Sequence, residues 1–321
     1  MKEFKIMKNT IEQAIELLRG GDICVCPTET VYGLFGDAKN DVAIQRIYKT
    51  KGRPSCNPLI CHVSSISMAL DFCVISKEQE RIIDYFWNEK NRPITFIVNL
   101  KENSDISNFV TAGLKTVAIR RPNNKIALEL IEKFNGPLAA PSANTSTRLS
   151  PTSYDMVVLD LGDKVQCIID GGECRFGVES TILDITRSPY VLLRPGGTSK
   201  EEIEEFLGSG LEINRNDTCI IAPGMMKKHY SPSIPVRINA SFPLENEAFI
   251  AFGKTDVPYT KNLSLSGDLM EAAHNLFRFL KELDDKQKYS GISIMPIPMD
   301  GIGRAINDRI SRASYKEDKK N

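Results

Sequence analysis

The sequence contains few histidines and no cysteine pair at the spacing that zinc sites use. Its three histidines, His62, His229 and His274, are too few and too scattered for a structural zinc site. The eight cysteines include no C-x-x-C motif, and several lie inside apolar runs, where a thiol behaves as a small hydrophobic group. This pattern predicts core cysteines in a reducing compartment. There is also no G-x-S-x-G or H-E-x-x-H motif, which argues against a hydrolase triad.

Net charge and long apolar runs are lacking as well. Lys and Arg number 41, as do Asp and Glu, so no global field draws the protein to nucleic acid or to an anionic membrane. Local contact with RNA stays open. No apolar run reaches transmembrane length, and the opening residues M-K-E-F do not resemble a signal peptide. We therefore expect a cytoplasmic protein without a membrane partner, and its 321 residues suggest two domains.

Residues 51–63, K-G-R-P-S-C-N-P-L-I-C-H-V, organise the rest of the chain. The apolar period of Val42, Ile44, Ile47 and Tyr48 predicts a helix that ends at the following glycine and proline. A short apolar run at 58–63 then predicts a strand. Lys51 and Arg53 are thus predicted to lie on a loop, and this pair of residue types suits phosphate oxygens. The alternative is a surface loop with two ordinary basic residues.

Two further polar loops follow apolar runs. Residues 27–33, P-T-E-T-V-Y-G, come after the run at 23–26, and residues 141–144, P-S-A-N, come after the run at 137–140. Strand ends converge on the ligand crevice of an open α/β sheet, so the three loops are predicted to face one pocket. Arg120 and Arg194 each end a strand-like run and are candidates for the same pocket, although a surface ion pair would explain either one.

The remaining pattern predicts a mixed α/β chain of two domains. We predict helices at 9–19, 125–134 and 199–207 and strands at 93–98, 116–120 and 191–194. Residues 1–207 would form the first domain, 208–235 a linker, and 236–321 a smaller α/β domain. In the second domain, F-G-K-T at 252–255 lacks the earlier glycine of a Walker motif, and G-I-G-R-A-I at 301–306 lacks the third glycine of a dinucleotide fingerprint. On the residues alone, the chain holds a phosphorylated ligand in a pocket rich in Arg, Lys, Ser and Asn, and the reaction is left open.

Several motifs resemble those of one family. P-T-E-T-x-Y-G, K-x-R-P-x-x-N-P-L, R-x-P at 120–122, P-S-A-N, S-P-T at 150–152, G-x-E-S-T-I at 177–182 and L-R-P-G at 193–196 occur in the order and approximate spacing of the YrdC-like threonylcarbamoyl-AMP synthases. P-G-M-x-x-x-H-Y-x-P at 223–232, A-A-H-N-L-F at 272–277 and A-I-N-D-R-I at 305–310 resemble the long, two-domain form. The resemblance covers nearly the whole chain.

The resemblance implies a YrdC-like twisted mixed sheet with surrounding helices, plus a smaller C-terminal Rossmann-like α/β domain. It implies a nucleotidyltransferase that forms threonylcarbamoyl-AMP and pyrophosphate from L-threonine, bicarbonate and ATP. Mg²⁺ would accompany ATP without an assigned protein ligand. The product would serve tRNA threonylcarbamoyladenosine modification, with the transfer to tRNA made by other proteins, and direct tRNA binding by this chain is left open.

Site residues follow from the resemblance position by position. Threonine would contact Thr30, His62, Arg120, the backbone near Ala140, and Ser180. ATP would contact Arg53, Asn57, Thr116, Ser142, Ser150, Arg194 and Tyr230. Lys51, Arg53, Ser142 and Asn144 would form the catalytic signature, with Lys51 near the phosphates. Tyr230 would make the linker a lid over the nucleotide; a plain solvated tether is the alternative.

Two departures from the family pattern and three rival functions stay open. Phe35-Gly36 replaces a pair of small residues, and Thr147 stands where glycine is common. A carbamoyl-adenylate-forming enzyme would share the fold but would not depend on threonine. A double-stranded RNA-binding protein would show steeply salt-dependent affinity for duplex RNA. A regulatory module would bind nucleotide without turnover.

Overall fold

The computed structural model describes residues 9–213, 222–224 and 229–315, which form two sheets with helices around them. Ten strands form the large sheet: β1 Cys24–Cys26, β2 Gly33–Asp37, β3 Ile60–His62, β4 Cys73–Val74, β5 Ile94–Leu100, β6 Thr116–Arg120, β7 Leu138–Ala139, β8 Thr181–Asp184, β9 Val191–Arg194 and β10 Glu212–Ile213. Its helices are α1 Ile11–Arg19, α2 Asp41–Lys51, α3 Ile66–Leu70, α4 Lys77–Asp84, α5 Asn108–Thr111, α6 Lys125–Phe134, α7 Tyr154–Leu161 and α8 Lys200–Leu207, with a π-helical turn at Tyr85–Glu89.

The smaller sheet follows in the chain. It consists of β11 Val236–Arg237, β12 Glu247–Ala251, β13 Lys261–Asn262 and β14 Gly291–Ile294, with helices α9 Leu269–Glu282 and α10 Gly303–Ser314. The strands are all parallel, in the order β11-β14-β12-β13. Among the described helices, none is long and apolar enough to cross a membrane.

The large sheet is mixed, as predicted. Its order is β1-β2-β7-β3-β6-β5-β8-β9-β10, and β4 pairs with β5. The pairs β3–β6, β5–β8 and β9–β10 are parallel, whereas the other pairs are antiparallel. In the parallel pair β3–β6, His62 lies in register with Arg120 at the same end of both strands. The topology thus brings two predicted ligand contacts together.

Local signals fix the helix before the K-x-R loop. The Asn40 side chain accepts hydrogen bonds from the first turn of α2, and Gly52 ends the helix in the left-handed conformation with φ +61°. The prediction that Lys51 lies on a loop is wrong, because Lys51 is the last residue of α2 and is buried. Helical spacing of three or four residues places Lys51 on the inner face behind Ile47, and the same spacing leaves Val42 60% exposed.

The two sheets share one apolar cluster. Val178 and Phe176 from the large-sheet part pack with Phe277 and Leu276 of α9. Contact is closest at Gly177, where an added Cβ would lie 2.5 Å from the Ala273 carbonyl oxygen. The backbone of residues 174–179 is therefore held directly against α9, and this segment leads into the candidate site.

Candidate active site

One cavity collects the polar loops. All three predicted loops reach it, which confirms that they face one pocket. Its lining also includes residues that follow the large sheet in the chain. The lining residues are Thr28, Val31, Gly33, Arg53, Ile60, His62, Arg120, Ala140, Pro141, Ser142, Glu179, Arg194, Pro223, Gly224, His229 and Tyr230.

Arg120 is the centre of one group in this cavity. Its Nη2 donates to Glu29 Oε1 at 2.6 Å and to Thr30 Oγ1 at 2.7 Å, and all three side chains are buried. Arg120 Nε is buried without a hydrogen-bond partner among the described residues. Burial, together with the charge of Arg120, lowers the pKa of His62 to about 3, so this imidazole is neutral at physiological pH. The group offers a fixed guanidinium beside a hydroxyl and a neutral imidazole.

Arg53 is held by its own loop. Its Nη2 donates to Asn57 Oδ1 at 2.6 Å and to the Pro58 carbonyl at 2.8 Å, and its Nε donates to the Asn57 carbonyl at 3.1 Å. Burial lowers the pKa of Arg53 to about 10, which leaves the guanidinium charged at neutral pH. The loop therefore pre-organises a cation against the cavity, and Asn57 acts in the structure as the residue that orients it.

Lys51 joins the K-x-R loop to the P-S-A-N loop. Its Nζ donates to the carbonyl oxygens of Ser142 and Asn144, each at 2.5 Å. Ser142 Oγ donates in turn to Asn144 Oδ1 at 2.6 Å. Burial, with the neighbouring charge of Arg53, holds the pKa of Lys51 well below its usual value. Three of the four predicted catalytic residues, Lys51, Ser142 and Asn144, thus form one hydrogen-bonded network, whereas Arg53 is held separately by its own loop.

Arg194 ends β9 and faces the cavity from the other sheet edge. Its Nη2 donates to the Ser180 carbonyl at 2.8 Å and to Ser180 Oγ at 3.1 Å, while Nη1 donates to the Pro223 carbonyl at 3.2 Å. Burial lowers its pKa to about 10. Neither Arg120 nor Arg194 is a surface ion pair, because both guanidinium groups are buried in the cavity wall.

Tyr230 is buried in the cavity wall, in contrast to a residue of a solvated tether. Its ring stacks on Phe277 with centroids 5.4 Å apart, and its backbone has φ +58°. The next residue donates from the Ser231 amide to the Thr147 carbonyl at 2.9 Å. Thr147 itself has φ +68°, a conformation that favours glycine, which is the residue expected there from the family resemblance. Lys227 and Lys228 of the same motif lie outside the described residues.

Glu179 and Arg309 belong to the site, although no role was predicted for either of them. Glu179 lines the cavity and accepts a hydrogen bond from Ser150 Oγ at 2.5 Å and another from Arg309 Nε at 2.8 Å. Burial alone raises the pKa of Glu179, but the charges of Arg309 and Arg194 and these hydrogen bonds outweigh it and lower the pKa to about 2. A signal for Arg309 exists, since a charged residue stands on the otherwise apolar face of α10.

The predicted residues divide by position. Seven line the cavity: Arg53, His62, Arg120, Ala140, Ser142, Arg194 and Tyr230. Six more contact a lining residue through hydrogen bonds: Thr30, Lys51, Asn57, Asn144, Ser150 and Ser180. Thr116 is the exception, because it is half-buried at the start of β6, four residues from Arg120 at the other end of that strand. Of the two departures, Phe35 packs its ring 5.1 Å from that of His62.

Fold and site together define an α/β protein whose mixed sheet carries a buried, arginine-rich cavity. The comparisons with known proteins agree with this class. Residues 16–196 match the Sua5/YciO/YrdC family model, described as telomere recombination, and residues 198–314 match the model described as threonylcarbamoyl-AMP synthase, C-terminal domain.

Full-length relatives and a solved structure identify the family. The chain is 37% identical to the threonylcarbamoyl-AMP synthase of Pyrococcus abyssi, covering 95% of this chain and 94% of that one. It is also 37% identical to the threonylcarbamoyl-AMP synthase of Bacillus subtilis, covering 95% and 92%. The crystal structure of P. abyssi Sua5 complexed with L-threonine superposes with a TM-score of 0.85 at 35% identity over 95% of this chain and 94% of that chain. The chain belongs to the threonylcarbamoyl-AMP synthase family, in its long, two-domain form.

Proposed function

We propose that the protein forms threonylcarbamoyl-AMP and pyrophosphate from L-threonine, bicarbonate and ATP. The observation that carries the proposal is the single cavity in which Arg120 lies with a neutral histidine, while Arg53, Arg194 and the lysine network lie around it. These fixed cations can bind the carboxylate of one substrate and the phosphates of the other. Membership of the family supplies the reaction.

The chemistry requires positioning more than a protein nucleophile. Bicarbonate dehydrates to carbon dioxide, and the threonine amine adds to its carbon and loses a proton to give a carbamate. A carbamate oxygen then bonds to the α-phosphorus of ATP. The bond from that phosphorus to the bridging oxygen breaks, and pyrophosphate leaves with the electron pair. Negative charge develops on the phosphoryl oxygens, where buried cations act most strongly.

Arg120 is proposed to bind the threonine carboxylate. Its guanidinium is fixed by Glu29 and Thr30, and its buried Nε has no other partner among the described residues. The neutral His62 and the backbone at Ala140 would complete the contact, with Ser180 beyond them. A planar guanidinium can pair two carboxylate oxygens, which an ammonium cannot do with the same geometry.

ATP is proposed to lie against Arg53, Ser142 and Arg194, with Tyr230 over it. Lys51 would offset phosphate charge through the Ser142–Asn144 network that it holds. Mg²⁺ would enter with ATP, held by phosphates and water, since the described residues contain no group of three or more His, Cys, Asp or Glu side chains that could hold a metal ion. Thr116, Asn57 and Ser150 remain proposed contacts of the nucleotide.

The chain is further proposed to act in three parts: residues 1–207 as the catalytic unit, 208–235 as a lid and 236–321 as its support. Deletion of residues 208–321 should impair turnover more than folding of the first unit. Other proteins would consume the intermediate by transferring its threonylcarbamoyl group to adenosine in tRNA.

The test is pyrophosphate release from Mg-ATP with threonine and bicarbonate, each omitted in turn, beside an Arg53→Ala control. Release that needs both co-substrates and is lost in the control would support the proposal. Release without threonine would favour a carbamoyl adenylate instead. ATP binding with no release would indicate a binding module, and steeply salt-dependent affinity for duplex RNA would favour an RNA-binding role.

A further inference from the structure

Arg309 is a charged residue on a face that should be apolar. Helix α10 buries Ala305, Ile306, Ile310 and Ala313 on one side, and Arg309 lies among them with no exposed surface. Burying a guanidinium carries a large desolvation penalty, which hydrogen bonds and opposite charges must offset. A helix that needed only to pack would place a leucine or methionine here. The partners of Arg309 therefore indicate a role beyond packing.

One partner, Asp308, is the preceding residue of α10, and its Oδ2 accepts a hydrogen bond from Arg309 Nη1 at 2.6 Å. The other partners lie at or beside the proposed nucleotide cavity. Arg309 Nε donates to Glu179 Oε2 at 2.8 Å, and Nη1 donates to the Pro195 carbonyl at 3.0 Å, next to the cavity residue Arg194. The guanidinium carbon lies 5.1 Å from the centre of the Tyr230 ring, within cation–π range. One side chain from the last described helix thus reaches two residues that line the cavity.

The pairing with Glu179 matters because of what the cavity is proposed to bind. Glu179 is a buried carboxylate in a wall that would face a triphosphate. Unpaired, it would repel the phosphates in a medium of low dielectric constant. Paired with Arg309, it is neutralised and still accepts the hydrogen bond from Ser150, a proposed ATP contact. The same guanidinium supports the ring of Tyr230 from outside the cavity.

We propose that Arg309 is a positioning residue for the nucleotide: it neutralises Glu179, fixes Ser150 through that carboxylate, and holds Tyr230 against the site. The smaller domain thereby contributes a residue on which ATP affinity depends. This inference rests on the proposed function, because it assumes that the ligand of the cavity carries phosphates. Arg309 has no role in binding threonine.

The same helix offers a matched control. Arg304 lies five residues earlier in α10 and also bridges the two units, with its Nη2 2.9 Å from Glu201 Oε1. That pair is at the surface, and neither residue lines the cavity. Replacing Arg304 removes a contact between the units without touching Glu179 or Tyr230. If the contact between the units were all that mattered, replacing either Arg304 or Arg309 would weaken nucleotide binding. If Arg309 positions the nucleotide, only the replacement of Arg309 would do so.

The experiment measures binding of α,β-methylene-ATP, whose α–β linkage resists cleavage, by calorimetry to the full chain. R309M is expected to raise its Kd at least tenfold and to leave threonine affinity within twofold. R309K should lie between R309M and the wild type, because one ammonium can meet Glu179 but not all the partners. R304M should bind as the wild type does. In the E179Q background, R309M should raise the Kd of the analogue less than threefold, because no buried carboxylate is left to neutralise.

Three results would overturn the inference: unchanged nucleotide affinity in R309M, an equal loss in R304M, or an equal loss of threonine and nucleotide affinity in R309M. If R309M fails to fold, the comparison of E179Q with E179Q/R309M and the R309K measurement decide the question. Failure of the proposed function is recognised separately, since wild-type protein would then bind the analogue but release no pyrophosphate, or would bind neither substrate.

Discussion

Lowering the pH from 8 to 5 should destabilise the protein through two buried histidines. Burial is the main reason that the pKa values of His62 and His229 fall from 6.5 to about 3 in the folded chain. Between these values the unfolded chain binds protons that the folded chain does not, so stability is complete above pH 6.5 and is lost as the pH falls. For any folded pKa below 4, each histidine costs about 2 kcal/mol at pH 5.

The expected loss is therefore about 4 kcal/mol for both histidines, against a total stability of about 5–15 kcal/mol for typical domains. Glu179 contributes little over this range, because pH 5 is still above its ordinary pKa of 4.5 as well as its folded pKa of about 2. The measurement is urea unfolding at pH 8, 6 and 5, followed by fluorescence of Trp87, the single tryptophan of the sequence, which is buried.

His62→Gln and His229→Gln serve as controls, and each should remove about 2 kcal/mol of the pH dependence. Ring resonances of the two histidines, assigned from these variants, should remain those of neutral imidazole down to about pH 4. Titration of the His62 or His229 resonances near pH 6.5, or a stability that is flat between pH 8 and 5, would refute the reasoning.

Three further substitutions test the site. Glu29→Gln should lower the free energy of unfolding in urea by about 2 kcal/mol, because a buried hydrogen bond to Arg120 loses its charge. The same substitution should raise the KM for threonine more than the KM for ATP, and an unchanged threonine KM would contradict this. Gly196→Ala should lower the melting temperature through a loss of about 1–3 kcal/mol, because the added Cβ overlaps the Ser180 carbonyl carbon; an unaltered Tm would argue against the close approach. Lys51→Met should lower kcat about 100-fold, because the cation near the phosphates is lost. Its effect on the free energy of unfolding should be smaller, because the Ser142 carbonyl loses its donor but a buried charge also disappears. A loss of kcat that is fully explained by a loss of folded protein would indicate a structural role only.

Elements with strong local signals could be predicted to the residue. The predicted helix at 125–134 is observed as Lys125–Phe134 because the Asn124 side chain caps its start and Asn135, at φ +61°, ends it. Strand β6 likewise matches its prediction. Strand β2, Gly33–Asp37, was not predicted, because two glycines hide its alternation and its position comes from pairing with β1 and β7. Helices α4 and α7 were also missed.

The site was less accessible to sequence reasoning than the fold. Motif order identified the loops, and thirteen of the fourteen residues line the cavity or contact its wall, but their partners could not be read from spacing. Lys51 was misplaced because a helix end and a loop start look alike in sequence, and burial decides between them. Glu29 was visible in its motif, yet its ion pair with Arg120 spans 91 positions of sequence. Such contacts depend on strand order, which no local pattern contains.

The charges of the cavity explain why the two units are built together. Lys51, Arg53, Arg120 and Arg194 are buried around one space, and their mutual repulsion has to be offset without filling that space. Glu29 offsets part of it at Arg120. Glu179 would do the same near Arg194, but an unpaired carboxylate in the wall would also repel phosphate. Arg309 resolves this conflict from outside the cavity, so the last described helix sets the electrostatics of a site that is formed mainly by the first unit and the segment that follows it.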